Sequence, residues 1–527
     1  MSQILLFALI AVFCHARVAV AQADTEHLRG TVTKVAGATV TIRTTENQTR
    51  TITIASTAMI MRGSGHLTIQ DIRVGDRVVL DLDRKTSVAT SVELGTAAPA
   101  MAPQSPAPSA QPAQTTAPPH DHAQMQLSEP GWHYMQDGIV FGTFNRQGSP
   151  RGDKELIAQN WYMGMASRKM GKGTLTLNGM FSLDPATVGT SGYAEIFQAG
   201  ETLDGHPLID RQHPHDFFMQ LAGVWRIPLN DATGVTIAGG PAGEAALGPV
   251  AFMHRASAAE NPTAPLGHHT FDSTHIAYGV ITAAVDHGPW TVEGSLFNGR
   301  EPDENRWNLD VGPLDSVSGR VWWRPNDHWE FQVSTARLKE PEALEPGDVT
   351  RTTASASWFR REASDFTAVT IGYGRNGRDT ASSSGFFAEG TRHFGFNSAY
   401  GRLEVQQVET AIFVSKTGAS GISPPVTCPS VVHCIGESDA RDRVRAFTVG
   451  GVRDVVRTRG FELGIGADVT AYGVPESLEA AYGSSPVSVH LFLRLRLPAP
   501  TGRMWNMWMS QPMRGHQTGA MANKPSE

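Results

Sequence analysis

From about Trp132 to Pro498 the chain strings together short segments in which apolar and polar residues alternate. Nowhere in that span is there an apolar run long enough to cross a bilayer as a helix. In lipid every backbone N–H and C=O must find a partner within the protein, so only helices and closed barrels can span. With spanning helices missing, the pattern predicts an all-β fold, a transmembrane antiparallel β-barrel. At about 25 residues per strand and connection, the region has room for about 12–16 strands.

The clearest strands show the alternation directly. Trp290, Val292, Gly294 and Leu296 alternate with Thr291, Glu293 and Ser295. Trp329, Phe331 and Val333 alternate with Glu330, Gln332 and Ser334, and Phe461 to Ala471 continues the pattern. A strand is also expected over Thr174 to Leu183. In Val487 to Leu497 one face is Val487, Val489, Leu491, Leu493, Leu495 and Leu497, and the other carries Ser488, His490, Arg494 and Arg496. Side chains two apart on a strand share a face. In a barrel the polar face lines the lumen, whereas in a soluble sandwich it looks outward, so a soluble periplasmic β-protein is the competing fold. The pairs Trp322-Trp323, Trp358-Phe359 and Phe386-Phe387 are expected in aromatic girdles at the membrane interfaces.

The ends set the compartment. Ile4 to Phe13 is a short apolar core and Ala19-Val20-Ala21 supplies small residues for cleavage, so residues 1–23 read as a signal peptide. Residues 24–95 hold GTVTKV, TVTIRT and VGDRVVLD, short alternating strands of a small β-rich barrel or sandwich. Residues 96–130 form a Pro/Ala-rich linker ending in His120-Asp121-His122 and Met125, residues 131–498 the barrel, and residues 499–527 a Met-rich tail. A net charge of -7 speaks against a nucleic-acid partner, which would need a basic face. Cys428 and Cys434 lie in one Pro-rich stretch of an exported chain, so a small disulfide loop is expected between them.

Two polar clusters stand out. His213, His215 and Asp216 precede one strand-like run, and His268, His269, Asp272 and His275 precede another, with His254 between them. Histidine is the commonest transition-metal ligand, and carboxylates complete such sites. His213 and His215 point the same way on an extended backbone, and the second cluster completes a ligand sphere if the two strand ends are neighbours. The competing reading is a structural hydrogen-bond network in a polar lumen. Ser273 beside Asp272 and His275 has no nucleophile motif around it, so no enzyme activity is expected. In the tail, Met504, Met507, Met509 and Met513 offer soft thioethers that select Cu(I); the alternative is an amphipathic patch with Met as apolar filler.

The chain resembles a family of uncharacterised exported bacterial proteins carrying GWHYMQDG, WYMGMASRK, MFSLDPATVG, LIDRQHPHDFFMQLA, GPVAFMHRASAAENP, LGHHTFDSTHIAYGV and FNGREPDENRW, over Gly131 to Arg361. That resemblance implies an outer-membrane barrel that accompanies copper or heavy-metal resistance. In architecture the chain also resembles the copper-resistance outer-membrane B proteins, which attach a Met/His-bearing segment to a barrel; here the richest Met cluster is C-terminal. The expectation is a Gram-negative outer-membrane barrel, facing lipid, that binds or passes copper-like cations with periplasmic metal-resistance partners and a periplasmic N-terminal module. A general porin or export channel for small solutes is the alternative.

Overall fold

The structure, a computed structural model, describes residues 25–44, 48–62, 65–83, 86–94, 131–203, 206–342, 347–362, 365–378, 382–414, 441–458 and 460–497. The expected signal peptide, linker, cysteine loop and Met-rich tail lie outside these residues. The chain divides into two compact units, residues 1–118 with 524–527, and residues 119–523.

In the first unit β1 (Thr25–Ala36), β2 (Thr39–Thr44), β3 (Thr49–Arg62), β4 (Gly65–Leu67), β5 (Arg77–Asp83) and β6 (Val88–Leu94) form one sheet in the order β2-β1-β5-β6-β3-β4, with β2 also pairing β3. Alternate residues such as Val40, Ile42, Ile52, Ile54, Leu80 and Leu82 share one buried core. This is the β-rich module the short alternating segments predict.

The second unit is a closed barrel of sixteen antiparallel strands. It opens with β7 (His133–Arg146), β8 (Lys154–Met170) and β9 (Gly173–Phe181). The hairpin β10 (Tyr193–Leu203) and β11 (His206–Gln212) follows, outside the barrel sheet. The wall resumes with β12 (Phe218–Pro228), β13 (Thr233–Gly243), β14 (Ala277–His287), β15 (Trp290–Phe297), β16 (Ser316–Trp323), β17 (Trp329–Leu338) and β18 (Val349–Glu362). It is completed by β19 (Asp365–Gly377), β20 (Ser382–Phe394), β21 (Asn397–Glu409), β22 (Arg441–Arg457), β23 (Glu462–Gly473) and β24 (Val487–Arg496). Pairings of β24 with β7 and of β9 with β12 close the ring. Closure leaves no barrel strand with an unpaired edge. The strand expected over Thr174 to Leu183 stops at Phe181, because Ser182 caps Asn160 and the chain turns into a short helix, Asp184–Thr187.

The direction of the alternation separates the two competing folds. On β24, Leu491, Leu493 and Leu495 are exposed while His490, Arg494 and Arg496 are buried. The same inversion holds on β15, where Val292 and Leu296 face out and Glu293 and Ser295 face in. An apolar exterior over a polar interior suits a lipid surround and does not suit a soluble sandwich. Among the described residues no helix is long and apolar enough to span a membrane. Outward rings stack near one rim, across neighbouring strands for Trp290 on Trp323 at 5.8 Å and Trp323 on Phe331 at 5.1 Å, and along β17 for Trp329 on Phe331 at 5.6 Å.

The expectation for the paired aromatics needs correction. Trp322, Phe359 and Phe387 are buried inside, and only their partners reach toward the exterior. Adjacent strand residues point to opposite faces, so a tandem pair cannot both join a girdle. Trp322 instead donates to Glu293 at 2.6 Å and lies beneath the Arg320 and Arg324 guanidiniums.

Candidate functional site

Two pieces of chain fill the lumen. The first is the long connection between β13 and β14, almost every residue of which from Glu244 to Thr274 is buried. It meets inward side chains on many wall strands. Ala246 N–H donates to Ser295 of β15 at 2.8 Å, and Gly248 N–H to Ser334 of β17 at 2.9 Å. Arg320 of β16 bonds the Gly248 carbonyl at 2.9 Å, Thr391 of β20 bonds the Ser257 carbonyl at 2.8 Å, and Leu266 N–H donates to Glu404 of β21 at 2.6 Å. The segment is rich in Ala and Pro and has little regular structure, so the wall's polar face supplies the partners its backbone lacks. The second piece is the β10–β11 hairpin. Its Gln198 donates to the Pro265 carbonyl at 2.8 Å, and its Asp210 accepts from Tyr482 at 2.8 Å and Arg151 at 2.5 Å.

Much of the charge inside the lumen is paired. Arg255 of the luminal segment donates to Asp272 and to Glu389 of β20, each at 2.7 Å, and Arg402 reaches the other oxygen of Glu389 at 3.1 Å. Glu260 takes Arg494 and Arg496 from β24, and Arg494 also reaches Asp454 of β22. Buried charges of this kind persist only when matched.

The histidines named from the sequence converge. The starts of β12 and β14 flank the end of β13, with Leu221 opposite Ala242 and Gly243 opposite Ala277. That places His213 and His215 at the same rim as the chain approaching β14. The ring centroids form a continuous series, His269 to His213 at 5.3 Å, His213 to His268 at 5.9 Å, His268 to His275 at 5.2 Å and His275 to His215 at 5.8 Å. His254 stands apart, edge-on to Trp161 at 4.8 Å. The second cluster occupies two helical turns, His268–Phe271 and Ser273–His275, folded into the lumen. His213 and His215 line a cavity of about 60 Å³ against β7 and β8, with Trp161, Phe252 and Arg496 among its other walls.

These rings lie in connections, outside the spanning strands, and burial disfavours the charged form of His213, His254, His268 and His275. Burial and the neighbouring His269 hold His213 well below the usual imidazole range, and burial and His268 do the same to His275. Burial lowers His268 against the pull of Asp272, and lowers His254 to about 4. Neutral imidazoles are the form that binds metals.

The two aspartates serve other partners. Asp272 accepts from His268 Nδ1 at 2.7 Å and from Arg255, and donors also include the Phe252 N–H at 3.0 Å. Burial opposes its ionisation, but Arg255 and His268 hold it well below the usual carboxylate range. Asp216 pairs with Arg306 at 3.3 Å, and burial pushes it up to about 8. In this arrangement Asp272 orients His268, and Asp216 accepts a hydrogen bond from Arg306. His215 is oriented similarly by Asp184, at 2.9 Å.

Several lumen residues had no individual role in the sequence reading. Glu201 contacts His213 at 3.2 Å and pairs with Arg306. Glu301 contacts His269 at 2.8 Å. Glu301 lies in the charged run Asn298 to Arg306, the one local signal that marks it. Glu201 and Glu342 carry no local signal. Met504, Met507, Met509, Met513, Cys428 and Cys434 lie outside the described residues.

The fold and lumen define the class: a sixteen-stranded transmembrane-type β-barrel with an occupied interior. No family model and no curated protein matches the chain. Among solved structures it is similar to an anion-selective porin from Comamonas acidovorans, at 11% identity and TM-score 0.42, covering 70% of this chain and 100% of that one. It is also similar to OprB of Pseudomonas putida, at 10% identity and TM-score 0.44, covering 71% of this chain and 95% of that one.

Proposed function

We propose that this chain is a porin-type channel of a Gram-negative outer membrane, passing small hydrophilic solutes or ions through a lumen narrowed by residues 244–276. The observation that carries the reading is the inversion on strands such as β15 and β24, apolar side chains outward and polar, ion-paired side chains inward, in a closed ring. A polar, charged interior stabilises hydrated solutes, and rings of charged side chains set selectivity among them. The N-terminal module is assigned to the periplasm on the exported start of the chain alone. The test is reconstitution of the detergent-folded protein in planar bilayers. Discrete conductance steps smaller than those of an open sixteen-stranded barrel support the reading, and a silent bilayer with correctly folded protein refutes it.

A second reading is favoured by the histidine series. Five imidazoles within ring contact of their neighbours, beside a small cavity, form a donor set suited to zinc, copper or nickel. On this reading the barrel binds or passes metal cations. Copper in particular draws its support from the Met-rich tail and the family resemblance.

A further inference from the structure

Beside the histidine series lies a different grouping, assembled from three separate connections. His269 comes from the luminal segment, Glu301 from the connection after β15, and Glu342 from the connection after β17. One donor atom from each lies within 4.8 Å of the other two. His269 Nδ1 is 2.8 Å from Glu301 Oε1, and a Glu342 carboxylate oxygen completes the group. Carboxylates gathered this closely repel one another unless positive charge stands by, which Arg351 supplies in part and a bound cation would complete.

The imidazole is held in place by its surroundings. A Cβ on Gly200 would sit 2.7 Å from His269 Nδ1, so the ring lies directly on the glycine backbone. Gly200 has φ +146, a conformation that side chains disfavour. Asn376 donates to the His269 carbonyl at 3.1 Å and fixes the backbone behind the ring. The grouping also has an approach, because His269, Glu342 and Glu201 line a cavity of about 160 Å³.

We propose that His269, Glu301 and Glu342 bind a divalent cation of borderline hardness, with zinc as the test ion. One nitrogen and two carboxylate donors suit such an ion and do not suit soft Cu(I). Zinc–ligand distances of about 2.0–2.2 Å imply donor–donor edges of about 3.4 Å in a tetrahedron, so the grouping needs to tighten by roughly 1 Å or a little more. Three protein donors leave a fourth position for water or a passing solute. The site shares His269 with the histidine series and none of its other ligands, and it stands whether or not the barrel conducts.

The experiment is calorimetric titration of the full, detergent-folded chain with zinc chloride at neutral pH, with cobalt(II) absorption as a second readout. The Glu301→Gln and Glu342→Gln variants keep side-chain shape and are read separately, so a folding defect in one leaves the other informative. The expected result is a loss of at least about tenfold in affinity for one zinc equivalent in each, with loss of the tetrahedral cobalt band, since even outer partners of metal ligands carry about 10–100-fold. His213→Ala/His215→Ala retains that equivalent. Wild-type titration in both glutamine variants overturns the proposal, as does loss of the equivalent only with the His213 and His215 substitutions. A silent bilayer alongside loss of zinc in Glu301→Gln would refute the channel and leave the site intact.

Discussion

Arg496 of β24 donates to the Glu260 carboxylate of the luminal segment at 2.8 Å, and Glu260 is fully buried. With Arg494 bonding its second oxygen, one carboxylate fastens the centre of the segment to the barrel wall. Removing one partner of a buried pair costs about 3–5 kcal/mol because the other charge is stranded. Glu260→Ala takes one partner from each guanidinium, leaving Arg494 to Asp454 and Arg496 to Glu462, and should release the segment from the wall. The expected outcome is a several-fold rise in single-channel conductance with the barrel still folded. Conductance equal to wild type would show that the segment does not limit the pore.

The outward face of β24 offers a test of the membrane. Leu493 is half-exposed on the exterior, between Leu491 and Leu495. An arginine on the lipid face near the midplane costs about 2–4 kcal/mol. Leu493→Arg should therefore destabilise the barrel by that amount in bilayers, measured by denaturant unfolding from lipid vesicles. A neutral effect would place this face in water.

Acidification should remove the stability that His254 contributes, against the opposite pull of Asp216, whose carboxyl burial pushes up to about 8. Burial lowers His254 from 6.5 to about 4, so the unfolded chain binds a proton that the folded one refuses between those values. Stability is then full above about pH 6.5 and falls as pH drops toward 4, by about 3 kcal/mol for this residue at 1.36 kcal/mol per pH unit. His213, His268 and His275 shift in the same direction and steepen the fall. Thermal unfolding of wild type and His254→Gln across this range checks it. The variant should lose less stability on acidification, and parallel curves would contradict a buried neutral imidazole.

Gly200 links the hairpin to the His269 ring. In Gly200→Ala the new Cβ meets the imidazole at 2.7 Å, on a backbone with φ +146. Strain of this type costs about 1–3 kcal/mol. The variant should fold with reduced stability and displace the ring. Zinc affinity measured by calorimetry should drop with it, and unchanged affinity would show that the ring seat is irrelevant to binding.

Much of the wall was legible because barrel strands obey a local rule. The alternation in Trp290–Phe297 and Val487–Arg496 depends only on the two-residue period of a strand, and both segments fall where that period puts them. The tandem aromatics divide between the two faces by the same rule, which sends Trp322, Phe359 and Phe387 inward. The convergence of His213, His215, His268, His269 and His275 was half legible: their positions before two strands are in the sequence, and the neighbourhood of those strands is not.

The sequence by itself determined an apolar exterior, a polar interior and a preceding β-rich module, since each follows from the order of residues along single strands. Only the tertiary structure decided the strand number, the occupied lumen and the partners of Glu260, Glu301 and Glu342. Those contacts join residues such as Glu260 and Arg496, whose meeting depends on how a connection folds back inside the closed ring. No local pattern encodes that path, because its backbone is satisfied by wall side chains contributed from strands far away in the chain.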